Sequence, residues 1–168
     1  MEIHHGKFGK MYNLPFAKVF LGKADRRYAI DAIKNGWGAN HSKYINLFEK
    51  NFKSLINCKY AISTSSCTGS LHLALMSLNI QINDEILVPE ITWIASSAAI
   101  SYVKAKPIFL KINKEDWCID PNEIEKKITK KTKAIMVVHV LGTSTNMTKL
   151  MQLAKKYKLD LIEDTCES

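Results

Sequence analysis

Helical spacing dominates the first part of the chain. From Ala24 to Asn35 the apolar positions Tyr28, Ala29, Ala32 and Ile33 fall on one helical stripe, and Gly36 ends the run. Trp37-Gly38 reads as a turn. A second helix is expected from about Ser42 to Leu55, with Tyr44, Leu47, Phe48 and Phe52 on one face. The pattern then changes. Short apolar runs at Tyr60–Ser63, Glu85–Val88, Pro107–Ile112, Ala134–Val140 and Leu159–Ile162 alternate with helical segments. Those segments are expected at about Thr68–Leu78, Trp93–Val103, Pro121–Ile128 and Asn146–Tyr157. Strand, helix, strand in repetition predicts an α/β fold: a mostly parallel sheet with helices on both faces. Right-handed crossovers gather the C-terminal strand ends at one rim, where open α/β sheets bind ligands. Residues 1–20, broken by Gly6, Gly9 and Pro15, read as an irregular arm, and residues 21–168 as one portion of a larger domain. The expectation of a larger domain comes from the last strand, which no helix follows.

Composition changes this picture little. Of 168 residues, 46% are hydrophobic and 24% charged, as in ordinary globular proteins. The run Ala134–Leu141 is too short to span a bilayer, and no apolar signal core follows His4, His5, Lys7 and Lys10. A cytoplasmic location without a membrane partner is therefore expected. The net charge of +8 fits either attraction to anionic ligands or lysines solvated on helix faces. The lysines are spread along the chain, and the tightest group (Lys126, Lys127, Lys130, Lys131, Lys133) ends an expected helix, which favours the second reading. A basic stripe interleaved with aromatics, the mark of a nucleic-acid binder, is missing. Cys58, Cys67, Cys118 and Cys166 form no CxxC pair, so reduced thiols are expected rather than a zinc site or a disulfide framework. No metal site is expected, and His4-His5 reads as a solvated tail.

Three strand-to-helix junctions hold the candidate chemistry. Ser63 to Leu71 is rich in small hydroxylated residues, and the free N–H groups of a first helical turn there fit either a phosphate or an ordinary Ser/Thr cap. It is no P-loop, since no Gly-Lys-Ser/Thr follows. Trp93, at the next junction, is either a flat stacking surface or a core aromatic. Glu163-Asp164-Thr165-Cys166-Glu167 closes the last strand. Its aspartate could pair with a protonated ring nitrogen, or cap a helix with Glu167 completing a capping box. A phosphate cradle, a stacking ring and an acid on strand ends of one sheet suit a phosphorylated aromatic cofactor. NAD is a poor fit, because no GxGxxG follows a strand.

The order of these motifs resembles the DegT/StrS sugar aminotransferases. Ser66-Cys67-Thr68-Gly69-Ser70-Leu71 is similar to that family's Ser-Gly-Thr-Ala-Ala-Leu segment, and Asn83-Asp84-Glu85-Ile86-Leu87-Val88-Pro89 to its Gly-Asp-Glu-Val-Ile-Val-Pro. Gly36-Trp37-Gly38, Trp117-Cys118-Ile119-Asp120-Pro121, Thr132 to Ile135, His139 to Gly142 and Ile162-Glu163-Asp164 follow in family order. The resemblance covers about Gly36 to Ser168. It implies part of the large domain of the type I (aspartate aminotransferase-like) fold, pyridoxal 5′-phosphate as cofactor, and a homodimer with sites built from both subunits. Residue by residue, it implies that Thr68 and Gly69 bind the phosphate, Trp93 stacks on the ring, Asp164 pairs with the pyridine nitrogen and Glu167 lies near the ring hydroxyl. The implied reaction moves an amino group from an amino acid, glutamate by preference, to a nucleotide-linked keto-deoxy sugar. The Trp-Cys-Ile-Asp-Pro string and the Asp-Thr-Cys-Glu-Ser ending most resemble members acting at C4 of 4-keto-6-deoxy sugars. Two departures stand out. Cys67 takes the place of a glycine, and the family's cofactor-holding lysine belongs downstream of the Asp164 position. The chain alone is therefore expected not to transaminate. The alternatives are a dehydratase relative that replaces the lysine with histidine, a non-catalytic truncated product, and a regulatory relative. The joint presence of Trp93 and Asp164 favours the enzyme lineage.

Overall fold

The computed structural model describes residues 19–168 together with two short strands, β1 (His4–His5) and β2 (Met11–Tyr12), which pair antiparallel. The rest of the expected N-terminal arm, like the side chains of His4 and His5, lies outside the described residues. Two compact units result, 1–63 and 64–168.

The first unit holds α1 (Lys23–Asn35) and α2 (Lys43–Leu55), close to their expected bounds. Gly36 ends α1 because a side chain there would collide with the Ala32 carbonyl, and Gly38 (φ 59°) turns the chain. Asp31 of α1 accepts from Lys43 Nζ (2.7 Å), from the Tyr44 hydroxyl and from Asn35 Nδ2 (2.8 Å). The Lys43 bond foremost, then those of Tyr44 and Asn35, holds the Asp31 carboxyl well below the usual carboxylate range. The apolar stripes face an open groove of about 680 Å³, lined by Tyr28, Ala32, Tyr44, Phe48 and Phe52 among others. No described residue of this unit is buried. The strand expected at Tyr60–Ser63 does not form. Among the described residues nothing offers it a ladder, and the Glu49 carboxylate accepts from both Ser63 N–H (2.8 Å) and Ser63 Oγ (3.0 Å).

The second unit is the expected α/β sheet. Its strands are β3 (Glu85–Pro89), β4 (Lys106–Leu110), β5 (Thr132–Val138) and β6 (Asp160–Asp164), all parallel, in the order β4-β3-β5-β6. The connecting helices are α3 (Cys67–Ser77), α4 (Ile94–Tyr102), α5 (Pro121–Lys127) and α6 (Met147–Tyr157). Successive strand residues point to opposite faces, so continuous apolar runs serve two cores. Ile86, Val88, Ala134 and Met136 pack with Leu71 and Leu75 of α3 and Ala99 and Ile100 of α4. Leu87, Ile135 and Val137 pack on the other face with Ile124 of α5 and Leu150 and Ala154 of α6. Helices therefore cover both faces, as the alternation predicts. Glu125 of α5 accepts from Lys156 Nζ (2.7 Å) and the Tyr157 hydroxyl (2.8 Å) of α6, and these bonds hold its carboxyl below the ordinary value. The chain leaves β3 toward β4 and returns on the far side to β5. In open α/β sheets such a reversal, here between β3 and β5, is where ligands bind at the C-terminal strand ends. Among the described residues no helix is long and apolar enough to cross a membrane.

Candidate functional site

Three segments of the second unit meet around the end of β6. The first is the start of α3. Ser66, extended at φ −163°, caps the helix by accepting from Gly69 N–H at 3.1 Å. A Cβ on Gly69 would meet Ser66 Oγ at 3.2 Å, so glycine lets this cap close tightly. The N–H groups of Cys67 and Thr68 have no acceptor among the described residues. These are the orphan donors of a first helical turn, and they carry its partial positive charge. The donor set fits a phosphate.

The second segment is Asp164, only 6% exposed at the end of β6. A carboxylate so deep needs donors. Oδ2 accepts from Ser96 Oγ of α4 at 2.8 Å, and Oδ1 accepts from Cys166 N–H at 3.2 Å. Cys67 Sγ lies 3.6 Å from Oδ1, which brings the first turn of α3 against the acid. Ser96, fully buried, also bonds Thr92 Oγ1 at 2.8 Å. Trp93, the residue before α4, is 72% exposed in this chain.

The third segment follows β5. Glu167 Oε2 accepts from Leu141 N–H at 3.0 Å, in a turn where Leu141 (φ 49°) and Gly142 (φ 81°) are left-handed. Buried His139 accepts at Nδ1 from Thr145 N–H (3.3 Å), which leaves Nε2 to donate to Glu163 Oε2 (3.2 Å). Its backbone N–H donates to the Asp164 carbonyl at 3.2 Å.

The site thus draws Thr68, Gly69 and Asp164 together through Cys67. It places Trp93 one helical turn before the Ser96 that holds the acid. Sequence reasoning missed Ser96; its only signal is a small hydroxyl within the apolar stretch Ile94–Ile100, four residues after Thr92. It also missed the disulfide. Four reduced thiols were expected, whereas Cys67 and Cys166 are joined across 99 residues of sequence, and Cys58 and Cys118 are free. That separation carries no local signal; only the fold brings the two sulfurs together.

Residues 20–168 match the DegT/DnrJ/EryC1/StrS aminotransferase family. The chain belongs to that family. GDP-perosamine synthase of Escherichia coli O157:H7 is 39% identical over 158 residues, which cover 94% of this chain and 43% of that protein. The aminotransferase from Psychrobacter cryohalolentis superposes with a TM-score of 0.85 at 30% identity, covering 92% of this chain and 40% of that one. NtdA from Bacillus subtilis, solved with bound cofactor PMP, superposes with a TM-score of 0.74 at 31% identity, covering 92% and 38%. The family resemblance and the type I aminotransferase fold read from the motifs are both borne out. The chain spans less than half the length of each of these family relatives.

Proposed function

We propose that the second unit binds pyridoxal 5′-phosphate in the service of an aminotransferase that acts on a nucleotide-linked keto-deoxy sugar, with an amino acid such as glutamate as donor. The observation that carries this reading is the buried Asp164 carboxylate, held by Ser96 and set beside the orphan N–H groups of α3. An acid at one end and an anion cradle at the other match a ring that carries a basic nitrogen and a phosphate.

Each residue has a definite task in this reading. The N–H groups of Cys67 and Thr68, with the Thr68 hydroxyl, bind the phosphate, and Gly69 keeps the turn tight. Asp164 accepts the hydrogen bond of the protonated ring nitrogen and so holds the proton there. Ser96 fixes the orientation of the carboxylate. Trp93 stacks on the ring, and Glu167 lies toward the ring hydroxyl while anchoring the Leu141 turn. Pyridoxal phosphate, when bound, supplies the electron sink that amino transfer requires. The similarity to GDP-perosamine synthase supports a nucleotide-sugar acceptor. The assembled enzyme is read as a homodimer.

Titration of the chain with pyridoxal phosphate and with pyridoxal, followed by tryptophan fluorescence, tests this reading. Tighter binding of the phosphorylated form is expected, and Thr68→Ala should narrow the gap by about tenfold, as loss of one charge-assisted hydrogen bond implies. Equal affinities for the two ligands would remove the phosphate cradle from the account.

A further inference from the structure

The disulfide sits inside this site. Cys67 is the first residue of α3 and precedes Thr68; Cys166 lies two residues beyond Asp164. Their Cα atoms are 6.6 Å apart, within the usual span of a disulfide. The bridge runs from the orphan N–H groups of α3 to the segment that closes over Asp164. We propose that Cys67 and Cys166 form a redox-sensitive pair whose oxidation closes the cofactor cradle and whose reduction opens it. This rests on the cofactor reading above.

Bridged, the two sulfurs fill the space between the phosphate donors and the acid, with Cys67 Sγ 3.6 Å from Asp164 Oδ1. They also tie α3 to the end of β6, so the cradle cannot widen around a ligand. Reduced, the pair leaves two thiols beside the acid and frees the segment after β6. The other two cysteines are differently placed. Cys118 is buried with its thiol donating to the Thr143 carbonyl (3.2 Å), and Cys58 donates to the Tyr60 carbonyl (2.9 Å). Cys166 is exposed and Cys67 half-buried, so a small oxidant reaches the pair through Cys166.

A low-molecular-weight disulfide such as oxidised glutathione completes the chemistry. The Cys166 thiolate attacks one of its sulfurs, forming a mixed disulfide and expelling one glutathione thiolate. The Cys67 thiolate, favoured at a helix N-terminus, then attacks the Cys166 sulfur and expels the second. Each protein thiol gives up a proton and each departing thiolate takes one. The protein loses two electrons to the glutathione disulfide bond. Reciprocity requires that a ligand in the cradle protect both cysteines from oxidation.

The test uses pyridoxamine phosphate, which has no aldehyde to react with thiols or lysines, and EDTA to keep metal off the reduced pair. The chain is oxidised with glutathione disulfide or reduced and desalted. Peptide mapping records the Cys67–Cys166 link, and tryptophan fluorescence records affinity. At least tenfold weaker binding is expected in the linked form. Cys166→Ser should bind as the reduced chain does whether or not oxidant is present. Failure of the link to form, or equal affinity in linked and reduced chains, overturns the switch alone. Absence of binding by the reduced chain and by Cys166→Ser overturns the cofactor reading and the switch with it.

Discussion

Replacing Ser96 with alanine isolates the bond that supports the buried acid. The side chain is fully buried, and the change removes one oxygen without adding bulk. Its hydroxyl donates to Asp164 Oδ2 at 2.8 Å, and Asp164 is itself only 6% exposed. Hydrogen bonds to charged groups contribute about 1.5–3 kcal/mol, and an unsatisfied buried acceptor costs a similar amount. The Thr92 hydroxyl also loses a partner, but Thr92 is half-buried and can turn to water. The expected loss is about 2 kcal/mol. For a domain of this size that corresponds to a fall of roughly 8 °C in Tm. Thermal and urea unfolding followed by circular dichroism would measure it. Ser97→Ala is the control, since its hydroxyl only reaches the Ile94 carbonyl at 3.2 Å on the exposed side; it should stay within about 0.5 kcal/mol of the parent. The double variant with Asp164→Asn should show a coupling of about 1–2 kcal/mol. A Ser96→Ala loss no larger than the Ser97→Ala loss, or zero coupling, would refute the claim that this hydroxyl holds the acid.

Two further predictions concern charge and covalent capture. Asp31 has its carboxyl pKa lowered in the fold, so its stabilising contribution is present above about pH 4 and fades as acid protonates it. Asp31→Asn should therefore shift the urea midpoint of the first unit at neutral pH and much less in acid; a shift independent of pH would contradict the pairing with Lys43. Borohydride treatment of the chain with pyridoxal phosphate should trap no stoichiometric adduct on a single lysine. Lys155, Lys156 and Lys158 precede β6, at the opposite end of that strand from Asp164. A unique modified lysine in the peptide map would overturn this.

The fold was legible where pattern and packing agree. Continuous apolar runs marked β3 and β5 because both faces of those strands are covered. Helix starts expected at about Thr68, Pro121 and Asn146 lie within one residue of those observed, where the side chains of Ser66, Asp120 and Asn146 each accept from their own first turn. Tyr60–Ser63 carried the same apolar signal and formed no strand. A run shows a strand's preference but not its partner, and the Glu49 bond to Ser63 is invisible in the local sequence. In the site, the Ser63–Leu71 junction, Trp93 and Asp164 stood out because each lies where a strand gives way to the next segment at the expected rim, whereas Thr68 and Gly69 were singled out by the family resemblance. Ser96 and the Cys67–Cys166 pair did not stand out. Their roles exist only once α4 and the end of β6 are brought against the start of α3.

The central claim is that the first turn of α3 and the end of β6 form one ligand site. Amide chemical-shift mapping of the isotope-labelled, reduced chain during titration with pyridoxamine phosphate tests it most directly. The account predicts saturable shifts clustered at Cys67, Thr68, Gly69 and Asp164 to Cys166, together with the Trp93 indole. Shifts scattered over exposed lysines, or confined to the groove between α1 and α2, would contradict it.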